Sequence, residues 1–145
     1  MYPKRCPFCQ GISSKGICDD CRKQVVKVGE IKCIHCGKPL EDETKEYCRD
    51  CERRKSNYEQ GRSLWVHIPP VSNSVYRLKY HNKRYYAEIF GKELADEFEF
   101  QIRRWGIQAI IPIPLHRSKM RKRGYNQAKL LADIVASNSG TECLP

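Results

Sequence analysis

No stretch of this sequence approaches the roughly 18 consecutive apolar residues that mark a membrane-spanning helix, so we predict no membrane insertion. The first residues, Met1 to Cys6, also lack the apolar segment of a secretory signal, and we therefore expect a cytoplasmic protein. A reducing cytosol keeps thiols reduced, so the nine cysteines need an explanation other than disulfide bonds.

The chain also has fewer acidic than basic residues. It has 27 Lys and Arg against 17 Asp and Glu, which gives a formal net charge of +10. Its 145 residues leave room for one ordinary domain or two small ones, and the 40% of hydrophobic residues is enough for a modest core. The charge excess favours a polyanionic partner.

Eight cysteines form four Cys-x-x-Cys pairs within the first 51 residues. The pairs are Cys6 and Cys9, Cys18 and Cys21, Cys33 and Cys36, and Cys48 and Cys51. Each pair places two sulfur atoms on one side of a tight turn, so two pairs supply the four thiolates of a tetrahedral Zn²⁺ site. We therefore predict two zinc ions, with sequential pairing as the simpler arrangement. A cross-braced pairing and an iron–sulfur site remain open on the residues alone.

Residues 1–51 are accordingly predicted to form a double zinc ribbon with two closed four-cysteine sites. A module of this size buries too little apolar surface to fold alone, so the metal would supply the folding energy and its role would be structural. We expect His35, inside the third pair, to face solvent and to ligate no metal. Cys143 is expected to be a lone thiol in a disordered tail.

The positive charge is concentrated in the second half of the chain. Residues 1–51 hold ten basic and eight acidic side chains, whereas residues 52–145 hold seventeen and nine. Because a Zn²⁺ with four thiolates carries a net charge of about −2, two sites bring the ribbons from +2 to about −2 and the whole protein to about +6. If the chain binds polyanions, the second half is predicted to do so.

Periodicity predicts the elements of the second half. A charged linker precedes an apolar strand that stops at a Pro-Pro pair, and the next segments alternate between helical and strand patterns. The predicted order is linker 52–61, strand 62–68, helix 72–80, helix 83–104, strand 107–113, basic loop 117–123 and helix 125–136. The aromatic stripe of the long helix is expected to belong to the core.

The basic loop follows a predicted strand and precedes a helix, which is where anionic ligands bind in open α/β sheets. Its candidate phosphate contacts are Arg117, Lys119, Arg121, Lys122 and Arg123, with Lys79 and Arg84 as further candidates from an upstream basic group. Tyr125 is expected either to stack on an unpaired base or to be a core or helix-cap aromatic.

Several of these motifs carry a resemblance to a known family. Pro112-Ile113-Pro114-Leu115-His116-Arg117, Lys122-Arg123-Gly124-Tyr125-Asn126-Gln127 and Leu130-Leu131-Ala132 resemble the ComF family of phosphoribosyltransferase-like competence proteins, as do Leu78-Lys79-Tyr80 and the doubled four-cysteine module. The resemblance implies a type I phosphoribosyltransferase-like domain and a role in the uptake of single-stranded DNA with a helicase-like partner. It also implies a pyrophosphate position at Pro112–Leu115 and a functional signature of Arg123, Asn126 and Gln127.

The sequence also departs from that pattern. Related transferases have a later strand that ends in paired acidic residues, followed by a Thr- and Gly-rich loop for the ribose phosphate, and neither occurs here. We therefore expect residues 62–145 to be the N-terminal portion of an incomplete α/β domain in a chain cut short. Phosphoribosyl pyrophosphate would bind only a full-length form, and we predict no transferase activity for the chain as given. The unpaired sheet edge would favour self-association.

Three functional hypotheses follow. The first is a ComF-like accessory protein of DNA uptake whose basic loop binds single-stranded DNA or a phosphoribosyl ligand. The second is the N-terminal part of an amidophosphoribosyltransferase-like enzyme. The third is a zinc-ribbon adaptor that docks a protein partner and in which the basic loop is incidental.

Overall fold

A computed structural model describes residues 3–145 of the chain. Two metal-binding units precede a mainly helical second half, whose two short strands pair with each other. The helices are α1 (Asp19–Gln24), α2 (Arg49–Arg53), α3 (Val71–Tyr80), α4 (Tyr86–Arg104), α5 (Arg117–Arg123) and α6 (Gln127–Ser139), and the strands are β1 (Ala109–Ile110) and β2 (Glu142–Cys143). Within the described part of the chain, no helix has the length and apolar character needed to span a bilayer.

Each ribbon begins with a tight turn built around a Cys-x-x-Cys pair. The amide of Cys6 donates a 2.8 Å hydrogen bond to the carbonyl of Gly11, and the amide of Cys33 donates one of 2.8 Å to the carbonyl of Lys38. The two turns need a left-handed residue at the same place, which is Gln10 (φ 64°) in the first ribbon and Gly37 (φ 74°) in the second. The two ribbons are thus repeats of one local structure.

The second Cys-x-x-Cys pair of each ribbon lies at the start of a short helix. Cys18 is the N-cap of α1 and Cys48 is the N-cap of α2. The partner cysteines, Cys21 and Cys51, come three residues later, and residues three apart lie on the same face of a helix. This spacing directs both sulfur atoms of the pair toward the preceding turn.

The first ribbon shares its core with the helices of the second half. The ring of Phe8 lies 5.4 Å from that of Trp65 and 5.9 Å from that of Phe90 on α4, measured between centroids. Cys6, Cys21 and Ile17 belong to the same buried cluster as Leu78, Tyr86 and Phe90. Burial of apolar surface therefore joins the first metal site to α3 and α4.

The second ribbon contacts the segment that follows it. The ring of Tyr58 stacks on that of His35 with centroids 4.4 Å apart, and Ser56 hydrogen-bonds the same imidazole. A β-carbon on Gly37 would lie 2.8 Å from the carbonyl oxygen of Gly61, so the two backbones touch. His35 faces solvent only in part, because the segment after α2 folds back over it and leaves it half-buried, and the second four-cysteine cluster does not include it, as expected.

Helices α4 and α6 pack closely because of one glycine. A β-carbon on Gly91 would lie 2.7 Å from the β-carbon of Ile134 on α6, so no larger residue fits there without a shift. The aromatic stripe of α4 is buried at Tyr86 and Phe90, as the periodicity predicts. Toward the C-terminal end of the helix the stripe is only half-buried.

Neither predicted strand forms over its full length. Residues 62–68 make a single antiparallel bridge, between Trp65 and Lys27. The segment 107–113 forms a strand only at Ala109–Ile110, because Pro112 and Pro114 lack the amide hydrogen that a longer ladder needs. The apolar composition of segment 107–113 predicts a buried strand, but Ile111 and Ile113 are 69% and 80% exposed, so that prediction is wrong.

The C-terminal residues are ordered against that strand. β1 and β2 pair in parallel, with Ala109 opposite Glu142 and Ile110 opposite Cys143. The expected disordered tail is therefore wrong, because Cys143 lies in β2. Helix α6 makes the crossover connection that parallel pairing requires.

Candidate metal centres and a cationic cleft

The eight cysteines of the ribbons gather into two separate four-sulfur clusters. Cys6, Cys9, Cys18 and Cys21 form the first and Cys33, Cys36, Cys48 and Cys51 the second, with the sulfur atoms of each cluster within 4.8 Å of one another. The sequential pairing is confirmed, and the cross-braced alternative is wrong. We name the clusters metal site 1 and metal site 2.

The spacing of the sulfur atoms fits tetrahedral zinc. Four thiolates at a Zn–S distance of about 2.3 Å would stand about 3.8 Å apart. The Sγ atoms of Cys9 and Cys18 are 3.7 Å apart, and those of Cys36 and Cys48 are also 3.7 Å apart. Two zinc ions therefore fit these residues, each with a complete thiolate shell and a structural role.

Backbone amides favour the thiolate form of one cysteine in each site. Desolvation alone would raise the pKa of Cys6, but hydrogen bonds from the backbone at Cys18, Cys9 and Phe8 lower it to about 7. Burial likewise would raise the pKa of Cys33, but hydrogen bonds from the backbone at Cys36, Cys48 and His35 outweigh this effect and lower it to about 6. Because metal ligation needs thiolates, these turns are suited to binding a cation.

The basic segment forms a helix and not a loop. His116 caps α5 by accepting a 3.3 Å hydrogen bond from the amide of Ser118, and Gly124 (φ 78°) ends the helix in the left-handed conformation. The predicted basic loop is therefore wrong in conformation. Residues three and four apart are neighbours on a helix surface, so the basic side chains of α5 lie on different faces of the helix.

Helix α5, the end of α3 and the turn after α3 enclose a cleft of about 460 Å³, which we name the cationic cleft. Its lining residues are Lys79, Tyr80, Asn82, Lys119, Lys122, Arg123 and Tyr125. None of these described residues is acidic, and its four cations take part in none of the ion pairs found within residues 3–145. The cleft therefore offers uncompensated positive charge to an anion.

Two of the five basic candidates on α5 lie outside this cleft. Arg117 and Arg121 are exposed on α5 but do not line the cleft, whereas Lys119, Lys122 and Arg123 of the same helix do. Arg117 and Arg121 are four residues apart and so share one face of α5. The structure thus divides the five basic candidates of the segment into two groups.

Tyr125 forms part of the cleft floor. It is 6% exposed, and its hydroxyl donates a hydrogen bond to the carbonyl of Leu78 on α3. The guanidinium of Arg84 covers the ring at 4.6 Å from its centroid, and Arg84 Nε donates a 3.0 Å hydrogen bond to Asn82 Oδ1. Of the two alternatives for Tyr125, the core aromatic is the one found, and no base can reach its ring face.

The amide side chains of Asn126 and Gln127 are engaged within the protein. Asn126 caps α6 by accepting a 3.0 Å hydrogen bond from the amide of Ala128, and its Nδ2 donates one of 2.9 Å to the carbonyl of Ile113. Gln127 accepts a hydrogen bond from Arg123. These contacts connect the 112–115 turn to α6 and hold the guanidinium of Arg123, so both residues position other groups.

Two cleft residues, Tyr80 and Asn82, were absent from the sequence-based candidates. The ring of Tyr80 lies under Arg123, with the guanidinium carbon 5.2 Å from its centroid. Asn82 takes a left-handed conformation (φ 52°) just after α3. A helix-ending Asn after a basic turn is a recognisable local signal, but only the fold shows that it faces α5.

Comparison with known proteins places these sites in context. A family model described as a double zinc ribbon domain matches residues 1–52. Competence protein F of Haemophilus influenzae is 29% identical over 138 residues, which cover 91% of this chain and 59% of that protein. Competence protein ComFC of Bacillus subtilis is 27% identical over 125 residues, covering 82% of this chain and 51% of that protein. The predicted resemblance to the ComF family is confirmed.

Other matches bear related names. The DNA utilization protein YhgH of Salmonella typhimurium is 27% identical over 140 residues, covering 92% of this chain and 61% of that protein. The chain therefore spans about half to three fifths of the length of these relatives. No solved structure matches the chain.

Proposed function

We propose that this chain acts in DNA uptake as a zinc-stabilised accessory protein whose cationic cleft binds the phosphates of single-stranded nucleic acid. The names of its relatives, which refer to competence and DNA utilization, support the process. The observation that carries the molecular activity is the group of four cations around one cleft, none of which forms an ion pair within residues 3–145. Such cations bind phosphates and release the counterions condensed on the nucleic acid.

The charge distribution supports the same surface. With zinc bound, the ribbons carry about −2 and residues 52–145 carry +8, so the positive potential comes from the half that contains the cleft. Part of the cleft is held by internal contacts, because Arg123 donates a hydrogen bond to Gln127 and the ring of Tyr125 lies beneath Arg84. A preformed cationic surface loses little conformational entropy when it binds.

Equilibrium binding of a single-stranded oligonucleotide to the zinc-loaded chain, measured over a range of salt concentrations, tests this proposal. Lys119→Gln/Lys122→Gln should weaken binding and reduce the salt slope by about 0.7 for each lost phosphate contact. Arg117→Gln/Arg121→Gln is the matched control, because it removes the same charge from the other face of the same helix. Equal losses in the two variants would mean diffuse attraction and would contradict binding in the cleft.

A phosphoribosyl ligand is the second candidate for this surface. The volume of about 460 Å³ lies in the range typical of small-molecule pockets. The 112–115 turn, which the family resemblance associates with pyrophosphate, does not line the cleft and is joined to the start of α6 by the hydrogen bond from Asn126 to Ile113. Phosphoribosyl pyrophosphate that displaces a bound oligonucleotide would favour one shared site, whereas simultaneous binding would favour two.

The remaining expectations concern partners and catalysis. A helicase-like competence partner and the adaptor hypothesis stay predictions. To test them, a purified helicase would be captured by the zinc-loaded chain. The same experiment with the Cys51→Ser variant would test the contribution of the second ribbon. An amidophosphoribosyltransferase-like enzyme remains an alternative for a longer protein. Detection of phosphoribosyl transfer by the 145-residue chain would contradict the predicted lack of activity.

A further inference from the structure

Helix α3 presents a pair of aromatic rings at the edge of the cationic cleft. Tyr76 and Tyr80 are 56% and 61% exposed, and their ring centroids are 4.7 Å apart. The imidazole of His81 lies 5.6 Å from Tyr76 and extends the same group. Single exposed aromatics are ordinary on protein surfaces, but here two large rings lie in contact and remain mostly uncovered.

The two tyrosines adjoin the cationic cleft. Tyr80 itself lines the cationic cleft, and the guanidinium of Arg123 lies 5.2 Å from the centroid of its ring. Tyr76 lies one turn earlier on α3, away from the cleft mouth, so the two rings run from the cations along the helix. Surfaces that bind single strands combine a cationic path for the backbone with aromatic rings on which bases stack.

We propose that Tyr76 and Tyr80 form a stacking surface for the unpaired bases of a strand whose phosphates occupy the cationic cleft. This proposal rests on the proposed function and adds the chemical basis of a preference for single strands over duplexes. In a duplex the faces of the bases are covered by their neighbours, so the rings would have no surface to contact. Tyr125, which the sequence offered for this role, is buried and cannot stack.

The test compares two single-stranded oligonucleotides of equal length, an oligo(dT) and the same backbone with abasic sites in place of the bases. Both present identical phosphates, so a difference in affinity for the zinc-loaded chain reports base contacts. We expect the chain to prefer oligo(dT) by about fivefold or more, the lower end of what one stacked base contributes. Tyr76→Leu/Tyr80→Leu should abolish this preference, measured as the ratio of the two affinities on the same variant, because Tyr80 also packs on Arg123 in the cleft and its loss is expected to lower both affinities together.

Two controls separate stacking from other effects. Tyr80→Phe keeps the ring and should keep the preference, because stacking needs the ring face and not the hydroxyl. Phe100→Leu removes a ring that is 68% exposed on α4 and does not line the cleft, so it should change nothing. A loss of preference in Phe100→Leu equal to that in the tyrosine variant would overturn the assignment.

The outcomes distinguish this proposal from the one on which it rests. If both strands bind equally and Lys119→Gln/Lys122→Gln weakens both, the cleft binds phosphates and the stacking surface is refuted. If the base preference exists and disappears only in the tyrosine variant, both proposals are supported. If neither strand binds the zinc-loaded chain, both are overturned.

Discussion

Ser74 Oγ on α3 donates a 2.7 Å hydrogen bond to the carbonyl oxygen of Pro7, which lies between two ligands of metal site 1. Ser74 is completely buried, although it is a polar residue. The guanidinium of Arg77 approaches the same carbonyl at 3.4 Å. The first metal-binding turn is therefore held directly by the helix that begins the second half of the chain.

The first prediction concerns this contact. Ser74→Ala should lower the free energy of unfolding by about 1–3 kcal/mol, because a buried carbonyl loses its best donor. Thermal or urea unfolding followed by tryptophan fluorescence would measure the change. Ser72→Ala in the same helix is the matched control, since its half-buried hydroxyl makes no hydrogen bond among the described residues. An equal effect of both substitutions would point to α3 itself and not to the link with Pro7.

The second prediction separates the two metal sites. Cys21→Ser should remove zinc from metal site 1 and destabilise the helical core, because Cys21 belongs to the cluster that contains Leu78 and Phe90. Cys51→Ser should remove zinc from metal site 2 and leave that core folded, since no ligand of metal site 2 belongs to this cluster. Zinc content and the fluorescence of Trp65, measured on both variants, would check this.

The difference in stability between the two variants depends on which folded unit each zinc ion stabilises. Zinc affinity contributes to folding only where the ligands are joined to the structure that folds. We expect the unfolding transition of the core to shift by several degrees for Cys21→Ser and to change little for Cys51→Ser. Identical shifts would show that the two ribbons and the helices unfold as one unit.

The third prediction concerns the contact between α4 and α6. Helix propensity alone would make Gly91→Ala stabilising by about 1 kcal/mol. A β-carbon at this position would lie 2.7 Å from the β-carbon of Ile134, so we expect a net loss of about 1–3 kcal/mol instead. Equilibrium unfolding would measure it, and a gain in stability would contradict the close approach of the two helices. Adding Ile134→Ala should recover only part of the loss, because the β-carbon remains.

The fourth prediction contrasts two buried tyrosines. The Tyr125 hydroxyl donates to the carbonyl of Leu78, so Tyr125→Phe should lower stability by about 1 kcal/mol. The Tyr86 hydroxyl is buried without a hydrogen-bond partner among residues 3–145, so Tyr86→Phe should leave stability unchanged or raise it. The same unfolding measurement applies to both variants.

Binding provides an independent check on Tyr125. Tyr125→Phe keeps the ring beneath Arg84 and should leave the affinity for oligo(dT) as it is in the unmodified chain. A strong loss of affinity without a loss of stability would mean that the hydroxyl contacts the ligand, which contradicts its place in the core.

Local spacing was sufficient to predict the metal ligands. Two cysteines separated by two residues converge whatever the rest of the chain does, so all eight ligands could be named from the sequence. Helical periodicity likewise predicted α3, α4 and α6 to within a few residues of their observed ends. These features depend on contacts between residues that are close in sequence.

The strands and the basic segment were predicted less well, for identifiable reasons. Apolar residues before a proline predict longer strands than the structure has. A strand forms only where another segment offers free backbone donors and acceptors, and the partner of β1 is limited to residues 142–143. The basic segment has no apolar periodicity, so its pattern does not predict a helix. Its caps, His116 and Gly124, are what make it a helix.

Local sequence patterns are therefore enough to identify the two four-cysteine sites, the main helices and the positive charge of the second half. Packing between α3 and α5 selects which cations share a cleft, because Lys79 and Lys122 both line it and Arg117 does not. It also buried Tyr125 against Leu78 and left Tyr80 at the cleft edge. Composition sets how many charged and aromatic side chains the chain contains. Packing between segments that are distant in sequence decides which of these side chains remain exposed to solvent.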